Sequence, residues 1–258
     1  MKSESGKTPN ILVVITMNIM VVFMLSAWTL STIMVSPVAF TVIKLFTFKS
    51  NNYIARKLIW LYGRGWLVTV QPFVSFQREG LKSLSFKEPC IFVVNHLSFF
   101  DTYCMSLLPN SDACFAIRSW PFRMFFYRPF MNLARYLDVE SLEWAEILKK
   151  AKKMLENGSS IIFFPEGHRS RDGECQRFYS GAFKLSIETG FPVVPLCLTG
   201  TDVFFPPGRF WFSPARIKLR ILAPEYPESF QGHSMSHTEM RQHVKVLMAE
   251  NIKEMNDA

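Results

Sequence analysis

At 258 residues the chain is long enough for one sizeable core with an appendage. Apolar residues make up 49% and charged ones 19%, which is more apolar than an ordinary soluble domain and excludes an intrinsically disordered one. The net charge of +8 is uneven: residues 1–90 carry ten Lys/Arg against three Asp/Glu, and the remainder is nearly balanced. The basic excess thus travels with the most hydrophobic part of the chain, which points to an anionic lipid surface and away from nucleic acid.

Residues 8–43 contain no charged side chain, and this run of 36 exceeds the ~20 needed to cross a bilayer. Ile11 to Val35 is the best single span, and Ser36-Pro37 leaves a long tilted helix and a shallow hairpin both open. The run is also longer than the ~7–15-residue core of a cleaved signal peptide. Lys44, Lys49, Arg56, Lys57 and Arg64 follow it, against Lys2 and Lys7 before it. By the positive-inside rule, the rest of the chain faces the cytoplasm. The expected division is an anchor with an interfacial helix over residues 1–70 and the main domain over 71–258.

Tyr53 to Trp66 mixes basic and aromatic residues as an interfacial helix does, and Trp66–Val70 and Phe73–Phe76 read as short strands. Cys90 to Val94 is an apolar run with the length of a buried strand. Thr102 to Leu108 continues a helix, and the aromatic residues 119–132, broken by Pro121 and Pro129, form a loop-rich wall for which membrane contact is one reading and packing into the core the weightier one. Leu142 to Asn157 is the clearest helix: Leu142, Ala145, Leu148, Ala151 and Leu155 share a side, Glu146 and Lys150 pair at i, i+4, and Gly158 closes it. Strand, helix and strand follow at 160–164, 181–189 and 192–198, then a strand at Arg216–Leu222 and a polar helix at His237–Met255. The alternation predicts an α/β fold: a mixed, substantially parallel sheet flanked by helices, with the N-terminal hydrophobic helix or hairpin as membrane anchor.

The five cysteines are odd in number and show no C-x-x-C pair, as expected of buried thiols in a reducing compartment. No metal-ligand spacing and no G-x-S-x-G elbow occurs, and His233, His237 and His243 lack ligating neighbours, so they read as surface residues.

Two stretches carry chemistry. In Asn95-His96-Leu97-Ser98-Phe99-Phe100-Asp101, a histidine emerges from the strand with a carboxylate five positions later. Within one helix that step is about 500°, leaving the pair roughly 140° apart. They face each other only if His96 lies in the loop and Asp101 near the start of the next helix, with Ser98 as N-cap and Asp101 at N3. The arrangement suits a neutral imidazole that takes a proton from an alcohol; the bland alternative is a simple capping box. In Phe164-Pro165-Glu166-Gly167-His168-Arg169-Ser170-Arg171, two arginines beside a glycine make a compact anion site, or else a solvated turn.

Together and in this order, the stretches resemble the glycerolipid acyltransferase family, which makes phosphatidic acid from lysophosphatidic acid. The family is marked by an Asn-His-x4-Asp block and a later Phe-Pro-Glu-Gly-x-Arg-Ser-Arg block. Val193-Val194-Pro195 and Phe178 to Lys184 also match it, and the likeness covers roughly residues 75–225. The chain departs from the family in the block between. The corresponding stretch, Leu133–Ser141, has no arginine at its end; Arg135 is the alternative, and the departure bears on the acceptor more than on the reaction.

The resemblance implies an acyltransferase in which His96 is the base and Asp101 orients it. Glu166 and Gly167 would shape the site, while Arg169, Arg171 and Arg118 would bind the acceptor's phosphate. It also implies a phospholipid membrane and a lysophospholipid as partners, an acyl-CoA or acyl-ACP co-substrate, and no other cofactor or metal. A cytoplasmic (inner) membrane enzyme facing the cytoplasm is expected, with backbone amides at the start of the helix after His96 as donors to the thioester oxyanion. A hydrolase using the same His-Asp pair on water and a catalytically silent membrane adaptor are the alternatives.

Overall fold

The computed structural model describes residues 11–80, 88–230 and 235–257; Lys2, Lys7 and His233, invoked above, lie outside the described residues. Helices α1 (Ile11–Thr47) and α2 (Asn51–Val70) lead into a seven-stranded sheet. Its strands are β1 (Val74–Glu79), β2 (Ile91–Val94), β3 (Ala113–Ile117), β4 (Leu137–Asp138), β5 (Ser160–Phe163), β6 (Val193–Thr199) and β7 (Ala215–Ile221). They are ordered β1-β7-β6-β2-β5-β3-β4, and every neighbouring pair is parallel except β6–β7. The expected mixed, mostly parallel architecture is the one observed. β2, β5 and β6 are buried along their whole length, which explains their unbroken apolar runs.

The sheet's two faces sort by strand alternation. Phe92 and Val94 point into a core built with α1, α2 and the short α8 (Thr201–Phe204), while Ile91 and Val93 point into one built with α7 (Gly181–Thr189) and α9 (Ser236–Asp257). On α1, Met17, Val21 and Leu25 recur at helical spacing and are buried, whereas most of the helix's other large apolar side chains are exposed. The chain continues helically through Pro37; the Thr41 hydroxyl donates to the Pro37 carbonyl at 2.9 Å. At about 1.5 Å per residue, the 37-residue helix is some 55 Å long. It reverses through Phe48, at a left-handed φ of 55°, into α2, capped by Ser50. The hairpin therefore forms between α1 and α2 and not at Pro37. Trp28 Nε1 donates to the Tyr62 carbonyl at 3.0 Å, and Gly65 leaves the room that the Trp28 ring occupies: a Cβ there would lie 2.0 Å from it.

Several expectations are corrected. Trp66–Val70 is the C-terminal end of α2 and not a strand, because Leu67 and Val70 keep facing the core at helical spacing until Gln71-Pro72 turns the chain. Arg56 is not at the lipid surface: it is 3% exposed and holds Asp112 at 2.6 Å, the Ala134 carbonyl at 3.1 Å and Ser159 Oγ at 3.0 Å. The buried stripe of α6 (Trp144–Glu156) is Ile147, Ala151 and Leu155, so Ala145 faces out; the Glu146–Lys150 pair forms at 2.6 Å. α9 is not polar all round, since Met240, Val244, Met248, Ile252 and Met255 are buried along one face. Residues 119–132 form the short helices α4 (Trp120–Arg123) and α5 (Arg128–Ala134), and their aromatic residues do not pack into the core: Trp120, Phe125, Phe126 and Phe130 are exposed.

Candidate active site

Parallel neighbours end at the same edge of a sheet, so the loops after β2 and β5, some 70 residues apart, meet there. Asn95 ends β2 by acting as a further strand residue. Its Nδ2 donates to the Leu198 carbonyl and its Oδ1 accepts from the Leu198 amide, both at 2.8 Å. The next residue, His96, is thereby held off the sheet edge. Its Nδ1 lies 2.8 Å from Asp101 Oδ2, which also accepts from the amides of Leu97 at 2.7 Å and Ser98 at 2.8 Å. Asp101 is wholly buried, and the helix it opens, α3 (Asp101–Cys104), starts at that residue.

The His96–Asp101 pairing forms, but the expected capping box does not: the N-cap is Phe100, without a side-chain cap bond, and Ser98 lies two residues before it. Asp101 stands at the first helical position, and the Ser98 hydroxyl accepts from the Phe100 amide and donates to the Phe205 carbonyl. The amides of Leu97 and Ser98 are taken by Asp101 and are unavailable to an oxyanion. A carboxylate at Nδ1 fixes the imidazole proton on that nitrogen and leaves Nε2 as the basic site. The ring lies against Phe164, with centroids 4.4 Å apart, and its side chain is 18% exposed.

The second loop is tied to the first from beneath. Glu166, buried completely, accepts from the His96 amide at 3.0 Å and the Gln176 amide at 3.3 Å, while the Ser170 amide donates to the His96 carbonyl at 2.7 Å. Burial raises the Glu166 carboxyl from 4.5 to about 7, against the lowering effect of those two amides. Glu166 acts here as a brace for the histidine's backbone and does not line the cavity described below. Gly167 adopts a φ of +69°, which is what requires glycine there; a Cβ would also approach the ring of the exposed Tyr179 to 3.0 Å, and that ring would have to give way slightly.

His96, Gly167, Arg169 and Arg171 line a cavity of about 1890 Å³ that reaches between the sheet edge and the α1–α2 hairpin, with Ile33, Pro37 and Phe40 on its far wall. It exceeds the ~300–1,000 Å³ of ordinary ligand pockets and has room for long apolar chains. Arg169 and Arg171 are exposed and make no ion pair among the described residues. Arg118 reaches the cavity with its guanidinium on Glu140, and Arg135, left-handed at φ 56°, caps α5 outside the cavity. No cysteine lines the cavity, and burial pushes the thiols of Cys90, Cys114 and Cys197 up to about 12, so no thiolate nucleophile stands by His96. Asn95, Phe164, Ser170 and Gln176 acquire roles that the motifs alone did not assign.

The site thus joins a histidine whose Nδ1 faces a buried carboxylate, a lipid-sized cavity, and two arginines without an ion pair among the described residues. The family model described as Acyltransferase matches residues 71–199, half of the chain, and the chain belongs to that family. It is 33% identical over 150 residues to the chloroplastic 1-acyl-sn-glycerol-3-phosphate acyltransferase of Brassica napus, covering 55% of this chain and 42% of that one. The Arabidopsis thaliana counterpart is also 33% identical, over 55% of this chain and 40% of its own. The chain thus spans about two fifths of the length of these relatives. The crystal structure of the 1-acyl-sn-glycerophosphate acyltransferase of Thermotoga maritima shares the fold, with a TM-score of 0.70, 22% identity, and coverage of 93% of this chain and 99% of that one.

Proposed function

We propose that the chain is a membrane-bound acyltransferase that moves a fatty acyl group from a thioester, on coenzyme A or acyl carrier protein, to the hydroxyl of a lysophospholipid. The simplest acceptor is 1-acyl-glycerol 3-phosphate, giving phosphatidic acid, as the names of its relatives suggest. The observation that carries this reading is the His96 Nδ1–Asp101 Oδ2 contact at 2.8 Å in a cavity rimmed by Arg169 and Arg171.

His96 Nε2 takes the acceptor hydroxyl's proton as the oxygen attacks the thioester carbonyl, and Asp101 stabilises the imidazolium that forms. The tetrahedral centre then collapses, the C–S bond breaks, and the imidazolium returns the proton to the leaving thiolate. The donor is already activated and the Ser98 hydroxyl is engaged by Phe205, so direct transfer requires no acyl-enzyme. Arg169 and Arg171 bind the phosphate bidentately. The exposed apolar length of α1 lies in a leaflet, with its N-terminal half docked to the domain through Asn18 and Phe212; this favours a hairpin resting in the membrane at the cytoplasmic face over a free-standing span.

The test is thiol release from acyl-coenzyme A by detergent-purified protein, with and without lysophosphatidic acid. Release that depends on the lysolipid, with a diacyl phosphate product, is expected. His96→Ala should lower it by at least about a hundredfold while the protein stays folded. Release without the lysolipid would instead identify a hydrolase.

A further inference from the structure

The segment between β3 and β4 is solvent-facing where its composition says it should be buried. Phe125 is 86% exposed, Trp120 53%, Phe130 49% and Phe126 46%, and they stand together on α4, α5 and the turn joining them. Contiguous exposed aromatic groups of this kind mark an interaction surface. Two further observations say what covers it.

Arg123 and Arg128 interleave with these aromatic residues and make no ion pair among the described residues. With Lys150 they line a recess of about 620 Å³ beside the aromatic tip. Asp138, the carboxylate in that recess, is already engaged by Ser119 Oγ and by the amides of Glu140 and Ser141, and Lys150 pairs with Glu146. The arginines therefore remain free to meet an anion. The aromatic tip is also continuous with the apolar face of α1: Trp120, Phe126 and Phe130 line the catalytic cavity opposite Ile33, Pro37 and Phe40. An apolar rim flanked by unpaired arginines has the composition of a segment seated at the head-group boundary of a bilayer.

We propose that α4–α5 is a second membrane-inserting element, placing Trp120, Phe125, Phe126 and Phe130 in the same leaflet as α1 while Arg123 and Arg128 hold the phosphates of anionic lipids. The two apolar elements then face each other across the cavity mouth, so that a lysolipid enters from the leaflet between them. The proposal rests on the membrane-bound reading above.

The experiment attaches an environment-sensitive fluorophore to Phe125→Cys and, separately, to Lys253→Cys on the exposed side of α9, each measured against the unsubstituted chain. Labelled protein is reconstituted into phosphatidylcholine vesicles with and without phosphatidylglycerol. The label at position 125 is expected to shift to the blue and to be quenched by nitroxide lipids but not by aqueous iodide, and the label at 253 to show the reverse. A position-125 label quenched by iodide in vesicle-bound protein overturns this proposal and leaves the anchoring by α1 standing. Protection from both quenchers, with cross-linking between copies, overturns it in favour of a protein–protein face. Protein that does not associate with vesicles at all overturns both readings. Replacing Arg123 and Arg128 by Gln should abolish a several-fold enhancement of lipid quenching by phosphatidylglycerol, and an unchanged enhancement would overturn the role of the arginines.

Discussion

Asp101 does two jobs with one oxygen. Its Oδ2 accepts from the His96 ring and from two backbone amides, whereas Oδ1 is buried without a hydrogen-bond partner among the described residues. In Asp101→Asn a single carbonyl oxygen replaces the charged acceptor, and the imidazole loses the group that stabilises its cation. Turnover is expected to fall about a hundredfold or more and stability by about 1–3 kcal/mol, measured by thiol release and urea unfolding on the same preparation. Loss of stability with turnover intact would contradict the dyad. Glu166 makes the complementary, pH-dependent case. Folding raises its value from 4.5 to about 7, so folding favours the protonated form. Its contribution to stability is whole below its unfolded value and is lost as pH rises through about 7, to the extent of roughly 3 kcal/mol. Glu166→Gln should flatten the fall in urea midpoint between about pH 5 and pH 8 relative to the parent chain. A parent curve already flat over that range would refute this.

Among the elements, the central strands β2, β5 and β6 and the two motif loops were legible because their signals are local. An unbroken apolar run followed by a polar cluster reads as a buried strand with a functional loop, and parallel topology then brings His96 and Arg169 together. The parts that were not legible depend on partners remote in sequence. The end of α2, rich in Trp, Leu and Val, carries a strand-like composition that the core overrides, and nothing local to Arg56 reveals Asp112 or Ser159. The bridge from Asn95 to Leu198 spans 103 residues and leaves no periodic trace. Arg56 supports the strongest prediction at this scale. With its side chain 2% exposed against Asp112 at 20%, Arg56→Met should leave that carboxylate uncompensated and cost about 3–5 kcal/mol. Adding Asp112→Asn should recover part of the loss, and a strictly additive double-mutant cycle would show that the pair does not tie α2 to the sheet.

At the scale of the whole molecule, the expected division at residue 70 is not a division in packing. Met17, Val21 and Leu25 of α1 and Leu67 and Val70 of α2 belong to the same core as Phe92, Val94, Leu196 and Leu198 of the sheet. Asn18 adds two hydrogen bonds to the Phe212 backbone, at 2.7 and 2.9 Å. The α1–α2 hairpin is therefore the helical layer for one sheet face as well as the bearer of the long exposed apolar surface of α1, and it forms one wall of the cavity at the His96 edge. It follows that the anchor is not detachable. A chain beginning at Phe48 would expose the side chains that Met17, Val21 and Leu25 cover, each worth about 1.5–3 kcal/mol when fully buried, a sum comparable to the whole stability of a domain. Residues 48–258 are expected to aggregate, or to give no cooperative unfolding transition, even in detergent, whereas the full chain unfolds cooperatively. A truncated protein that is monodisperse, unfolds cooperatively and still turns over a lysolipid in detergent would show that the sheet carries its own core and that α1 serves the membrane alone.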